Sequence, residues 1–219
     1  MSVIPLCLAS ASPARATTLT RAGIQPMIRV SEVDEPVVLA EAEERFGVLE
    51  AEDVALFLAR AKCENVASAL DEEEWSGLVI GCDSVLELDG QVHGKPASPQ
   101  EAVQRWLAMS GKSGVLHTGH WLVDLRHHAE SGSGATIGAV ASTTVHFAQL
   151  SRDEIESYVA TGEPMHAAGA FTIDGLGGAF VERIDGDHHN VVGISLPLLR
   201  SLARQAGVGW FDLTSLSSR

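Results

Sequence analysis

The sequence predicts a mixed α/β fold without the strict βαβ alternation of a doubly wound sheet. Three observations carry that reading. An apolar run at 4–9 leads directly into a capped helix. A long apolar run at 78–88 has the composition of a buried strand. Residues 115–125 and 140–150 alternate apolar and polar side chains like two antiparallel strands.

The elements follow in order. Ser12 is placed as an N-cap, Pro13 at N1 and Gly23 at C′, which defines a helix from 13 to about 22. A strand near 27–30 leads to an acidic turn at Asp34-Glu35-Pro36. Residues 40–70 read as mostly helical, with Val54, Phe57, Leu58 and Ala61 on an apolar face, and 72–74 as an acidic loop. After the strand at 78–88, Asp89-Gly90 signals a hairpin and 91–93 its return. Ser98-Pro99-Gln100-Glu101 is a capping box that opens a helix stopping near Gly111. The two alternating strands are joined by a Gly/Ser-rich loop at 127–138. Ser151 and Glu154 form a second capping box, for a helix ending at Gly162. Strands are expected at 171–174 and 179–184 around a Gly-rich link, and a last helix at 196–206 with Gly207 as C′. Residues 1–209 read as a single domain and 210–219 as a loosely attached tail.

With 219 residues the chain buries a core without disulfides. The net charge of -14, from 29 acidic and 15 basic residues, argues against nucleic-acid or anionic-membrane partners, which need a cationic footprint. Cys7, Cys63 and Cys82 are scattered, without CxxC spacing, as reduced thiols would be. No apolar run approaches the roughly 20 residues of a membrane span. The first eight residues lack a basic n-region. A cytoplasmic protein is expected.

Three places could carry chemistry. Ser10-Ala11-Ser12-Pro13-Ala14-Arg15 runs from a strand into a helix N-terminus, whose free N–H groups, hydroxyls and Arg15 suit phosphate; the same features also describe an ordinary cap and a surface arginine. Asp83 follows the apolar residues 78–82 within what should be a central strand, where a carboxylate needs a partner, a hydrogen bond or a metal. It reads as a metal ligand, a general base or a turn cap. Lys62 and Lys95 stand out because only Lys112 joins them as lysines. Each reads as a phosphate ligand or a solvated side chain, with Asp34-Glu35 as the acidic counterpart. His117 and His120 would point to opposite faces of a strand, and no cysteine pair completes a zinc set. GxGxxG, Walker A and GxSxG are absent, which removes the commonest dinucleotide, NTPase and serine-hydrolase readings.

In order along the chain, Leu8-Ala9-Ser10-Ala11-Ser12-Pro13 with Arg15, Val33-Asp34-Glu35, residues 59–62, Gly81-Cys82-Asp83-Ser84-Val85, Gly94-Lys95-Pro96, Ser110-Gly111, His117-Thr118-Gly119, residues 158–169 and Asn190-Val191-Val192-Gly193 resemble the motifs of the Maf family of septum-formation-inhibitor-like nucleoside triphosphate pyrophosphatases. The resemblance runs from Leu6 to about Gly207. It implies a long twisted mixed sheet in two lobes with flanking helices, similar to the inosine triphosphate pyrophosphatase fold, with the active site in the central cleft. It implies hydrolysis of a nucleoside triphosphate to the monophosphate and pyrophosphate. Ser10, Ser12 and Arg15 would hold the triphosphate and Lys62 and Lys95 would neutralise it. Glu35 and Asp83 would bind Mg²⁺ or Mn²⁺ or orient water, with Asp83 the proton acceptor. A homodimer is a family-level expectation. Ala14 and Asp174 depart from the family pattern at positions that resemble its base-selective ones, so the preferred base and sugar are left open. The alternative is a nucleotide-binding regulator of cell division with little turnover. A metal-dependent phosphatase releasing orthophosphate is a third reading.

Overall fold

The computed structural model describes residues 3–215. Buried β1 (Leu6–Ala9) runs into α1 (Pro13–Arg21), which begins at the expected Ser12 cap and stops before Gly23. β2 (Met27–Ile28) follows, then α2 (Glu35–Phe46). The expected acidic turn is the start of this helix, because Asp34 Oδ1 accepts from Val37 N and Pro36 lies in the first turn. Gly47 separates α2 from α3 (Ala51–Glu72), so the expected helical stretch is two helices, the second of them extending into the expected acidic loop. β3 (Leu78–Leu88) and β4 (Gln91–His93) form the hairpin signalled by Asp89-Gly90. α4 (Pro99–Met109) starts at Ser98, but Glu101 Oε2 accepts from Ala97 N, one residue earlier than a capping box requires.

β5 (Ser113–Asp124) and β6 (Thr136–Phe147) are the two alternating strands, paired antiparallel; β6 starts early enough to shorten the expected loop. α5 (Arg152–Ala160) carries the full Ser151/Glu154 box. The strand expected at 171–174 does not form. Glu163 takes hydrogen bonds from Thr172 Oγ1, Leu176 N and Gly177 N, which turns the chain, and Phe171 points into the core against Phe147. A 3-10 turn (Leu176–Phe180) then leads into β7 (Val181–Asp185). Two helices close the chain: α6 (His188–Val192), in a stretch expected to be loop, and α7 (Leu196–Gln205).

The sheet order is β2-β1-β3-β5-β6-β7, with β4 also on β3. β1 pairs in parallel with β2 and β3, and the remaining pairs are antiparallel, so the fold is mixed α/β as expected. Period-two alternation sends Leu78, Ile80 and Cys82 to one face and Val79 to the other. The first face carries two apolar cores. One lies under α1 and α7; the other lies under α4 and α5 around Trp106, whose ring meets Phe147, Tyr158 and Phe180 edge-on. α3 covers the opposite face.

Its buried side chains are Ala51, Ala55, Leu58, Ala59, Cys63, Val66, Ala67 and Leu70, so of the four expected face residues only Leu58 is buried. Small side chains face the sheet because the helix lies close to it. A Cβ on Gly81 would come 2.4 Å from Ala59 O, and one on Gly119 2.2 Å from Ala55 O. Phe57 packs instead on Phe46 of α2. The expected loose tail is docked as far as Ser215. Leu213 is buried in the α1/α7 core, Ile4 N donates to Asp212 O, and Ser215 N donates to Gly23 O. Residues 216–219 of that tail lie outside the described residues. No helix among the described residues is long and apolar enough to cross a membrane.

Candidate active site

On one side β5 pairs with nearly the whole of β3. On the other, β1 covers residues 78–81 and β4 covers residues 86–88, so residues 82–85 face a gap in the sheet edge. The chain after β1 continues from the level of Gly81 into Ser10. The chain after β4 continues from the level of Leu86 into Gly94 and Lys95. Both therefore run toward the gap, from opposite ends.

Asp83 sits in this gap and is 9% exposed. Its Oδ1 accepts from Lys62 Nζ at 2.5 Å, and the same ammonium pairs with Glu35 Oε1 at 2.6 Å. The local structure explains the triad. The close approach of α3 at Gly81 and Gly119 brings Lys62 down onto β3, and the Asp34 cap starts α2 so that Glu35, in its first turn, meets the lysine. Burial pushes the Asp83 carboxyl above the usual carboxylate range, while Lys62 and Arg15 pull it back.

At the N-terminus of α1, Ser10 Oγ accepts from Ser12 N at 3.2 Å and from Arg15 Nη1 at 3.1 Å, and Ser12 Oγ accepts from Arg15 N. The guanidinium of Arg15 also reaches Cys82 O, Ser84 Oγ and Gly193 O. Ser10, Ser12, Arg15, Asp83, Lys62 and Glu35 thus gather at the gap, in two hydrogen-bonded groups on either side of one strand. Lys95 is exposed and has no carboxylate partner among the described residues, whereas Lys112 pairs with Asp89. Asp174 stands exposed in the turn after Phe171, with no contact that ties it to the others.

Ser84, Thr118, Asn190 and Gly193 carry no assigned role in the sequence, yet they join this network. Ser84 Oγ lies 2.9 Å from Thr118 Oγ1, which donates to Asn190 O. The available signal was Ser84 and Thr118 interrupting the apolar alternation of two strands. His117 and His120 do face opposite ways. His117 lies between Glu87 and Ser142, and His120 is buried against Thr118 O and Ser195 N. Among the described residues no three His, Cys, Asp or Glu side chains converge to hold a metal ion by themselves.

Residues 5–206 match the family model described as Maf-like protein. The chain belongs to the Maf-like protein family. Its relatives include proteins named nucleoside triphosphate pyrophosphatase from Salinispora tropica (54% identical over 98% of this chain and 88% of that one) and Leifsonia xyli (49% over 95% of each). A protein of the same name from Nostoc punctiforme is 44% identical over 98% of each chain. Among solved structures, the Staphylococcus aureus Ham1 protein matches at TM-score 0.36 and 13% identity over 66% of this chain and 72% of that one, a likeness too remote to bear on the fold. In this Maf-like chain the segments that carry Ser10 to Arg15, Glu35, Lys62, Cys82 to Ser84, Thr118 and Asn190 to Gly193 meet around the gap in the sheet edge.

Proposed function

We propose that this protein is a nucleoside triphosphate pyrophosphatase that hydrolyses the α–β phosphoanhydride to a nucleoside monophosphate and pyrophosphate. The observation that carries the reading is the buried Asp83 carboxylate, held by Lys62 in the gap beside the N-terminus of α1. The activity named for relatives 44–54% identical to this chain supports it.

The helix N-terminus, with Ser10 and Ser12, offers N–H and O–H donors to the triphosphate, and α1 adds its dipole. Asp83 accepts the proton of a water that attacks the α-phosphorus. As the anhydride breaks, Lys62 and Lys95 neutralise charge growing on the departing pyrophosphate. Asp83 and Glu35 present hard carboxylate oxygens about one ammonium. Mg²⁺ in nucleotide enzymes takes one or two carboxylates plus substrate phosphates, so this donor set fits Mg²⁺ or Mn²⁺ completed by substrate oxygens. When bound, the cation supplies further neutralisation at the phosphates. Ala14 and Asp174 are the positions we assign to base selection. The protein is assigned to the cytoplasm, where its buried free thiols stay reduced, and is expected to work as a homodimer.

The test is turnover of a panel of canonical and modified nucleoside triphosphates with Mg²⁺ or Mn²⁺, scoring pyrophosphate, monophosphate and orthophosphate separately. Pyrophosphate with monophosphate is expected, and Asp83→Asn should lower kcat by about a thousandfold. The variant should melt no lower than the parent, since it removes a costly buried charge while Lys62 keeps Glu35. Orthophosphate with nucleoside diphosphate would move the cleavage site and overturn the reading.

A further inference from the structure

We propose that Arg15 is a positioning residue: its guanidinium bridges the gap in the sheet edge and holds the residues on both sides of Asp83, through the Cys82 carbonyl and the Ser84 hydroxyl, rather than binding substrate phosphate. The inference rests on the pyrophosphatase reading and departs from the phosphate-binding role that the family resemblance implies for this arginine.

A guanidinium has five N–H donors and no acceptor. Four interactions of Arg15 already lie within the protein. Nε donates to Gly193 O at 2.7 Å, Nη1 to Cys82 O at 2.7 Å and to Ser10 Oγ at 3.1 Å, and Nη2 to Ser84 Oγ at 3.1 Å. Cys82 and Ser84 are the neighbours of Asp83 in the chain. One side chain therefore grips the strand immediately before and after the proposed proton acceptor. Cys82 O lies where β1 has ended and β4 has not begun, and Arg15 supplies a donor there in place of a neighbouring strand.

The far end of the bridge is equally specific. Gly193 has φ +123, and a Cβ there would meet Arg15 Nε at 3.0 Å. Ser84 Oγ accepts from Arg15 and lies against Thr118 Oγ1, which itself donates to Asn190 O, so the Ser84 proton points to Thr118. The chain of hydrogen bonds returns to the α6 segment that supplies Gly193 O, which closes a ring. A bidentate grip on phosphate needs two parallel N–H groups, and only one remains. Turning the fork outward would leave two carbonyl groups without their donor.

The decisive variant is Arg15→Lys, which keeps the charge but cannot span four acceptors in three segments. The measurements are kcat and KM from pyrophosphate release, and the affinity for inorganic pyrophosphate by calorimetry. A positioning role predicts a kcat lowered by about a hundredfold, with KM and pyrophosphate affinity within about threefold of the parent. A phosphate ligand predicts the reverse, a nearly rescued kcat with KM and pyrophosphate affinity weakened about tenfold, and that result would overturn the inference. Should Arg15→Lys fail to fold, Ser84→Ala loosens the same bridge with Arg15 intact. A severalfold lower kcat at constant KM supports the inference, and an unchanged kcat overturns it. The Arg15 Nε–H resonance of the parent protein gives a readout independent of turnover. It should be protected from exchange without ligand and stay in place on adding pyrophosphate; protection that arises only with pyrophosphate overturns the inference. If the parent releases no pyrophosphate from any substrate, the function is refuted, while this resonance still decides the role of Arg15.

Discussion

His120 lies wholly inside the protein with both ring nitrogens engaged. Ser195 N can only donate, so Nε2 accepts and the proton sits on Nδ1, bonded to Thr118 O. Burial, aided by Arg15, lowers its pKa from 6.5 to about 4. Above pH 6.5 this group costs nothing to keep neutral. As the pH falls toward 4 the unfolded chain gains a proton that the folded chain refuses, and up to about 3 kcal/mol of stability is lost. Urea midpoints between pH 7 and pH 4 should therefore fall less steeply in His120→Gln than in the parent, although the variant starts lower at pH 7. At this scale the sequence discloses some residues and hides others. Asp83 was legible because a carboxylate following an apolar run needs a partner. The engagement of Arg15 was not, because its Nε acceptor lies 178 residues away. Lys95 and Asp174 remain outside the hydrogen-bonded groups, and no local pattern separates them from solvated side chains.

Among the elements, α3 decides the geometry. It lies against β3 and β5 where two glycines leave room for its backbone, and that contact sets the height of Lys62 over Asp83. Gly119→Ala should destabilise the protein by about 2 kcal/mol through overpacking against Ala55 O, and should lower kcat by displacing Lys62. Urea midpoints and turnover on the same preparation check both effects. Helix starts such as Ser12, Ser98 and Ser151 were readable because a cap is a local hydrogen bond within a few residues. The turn after Phe171 was not. Its cause is Glu163, a carboxylate earlier in the chain that collects backbone N–H groups from the Gly-rich link. The apolar face of α3 was misplaced for a related reason: the glycines that select Ala55 and Ala59 belong to strands far along the sequence.

At the scale of the molecule, alternation was enough to give the mixed α/β class, whereas the parallel pairing of β1 with β3 depends on a long crossover through α1, α2 and α3 that no local pattern encodes. The C-terminal segment belongs to the folded body. Leu213→Ala should cost about 3 kcal/mol, because it empties a site in the α1/α7 core. A thermal melt that leaves the midpoint unchanged would show the segment to be dispensable. The two cores on one face and the cluster beneath α3 on the other partition the tryptophans. Trp106 is enclosed by the α4/α5 core, Trp210 packs on the α1/α7 core, and Trp75 and Trp121 lie beneath α3. Intrinsic fluorescence can therefore follow each compartment by itself. Because β3 and β5 run beneath all three, single-tryptophan variants should lose their native emission at one common urea concentration.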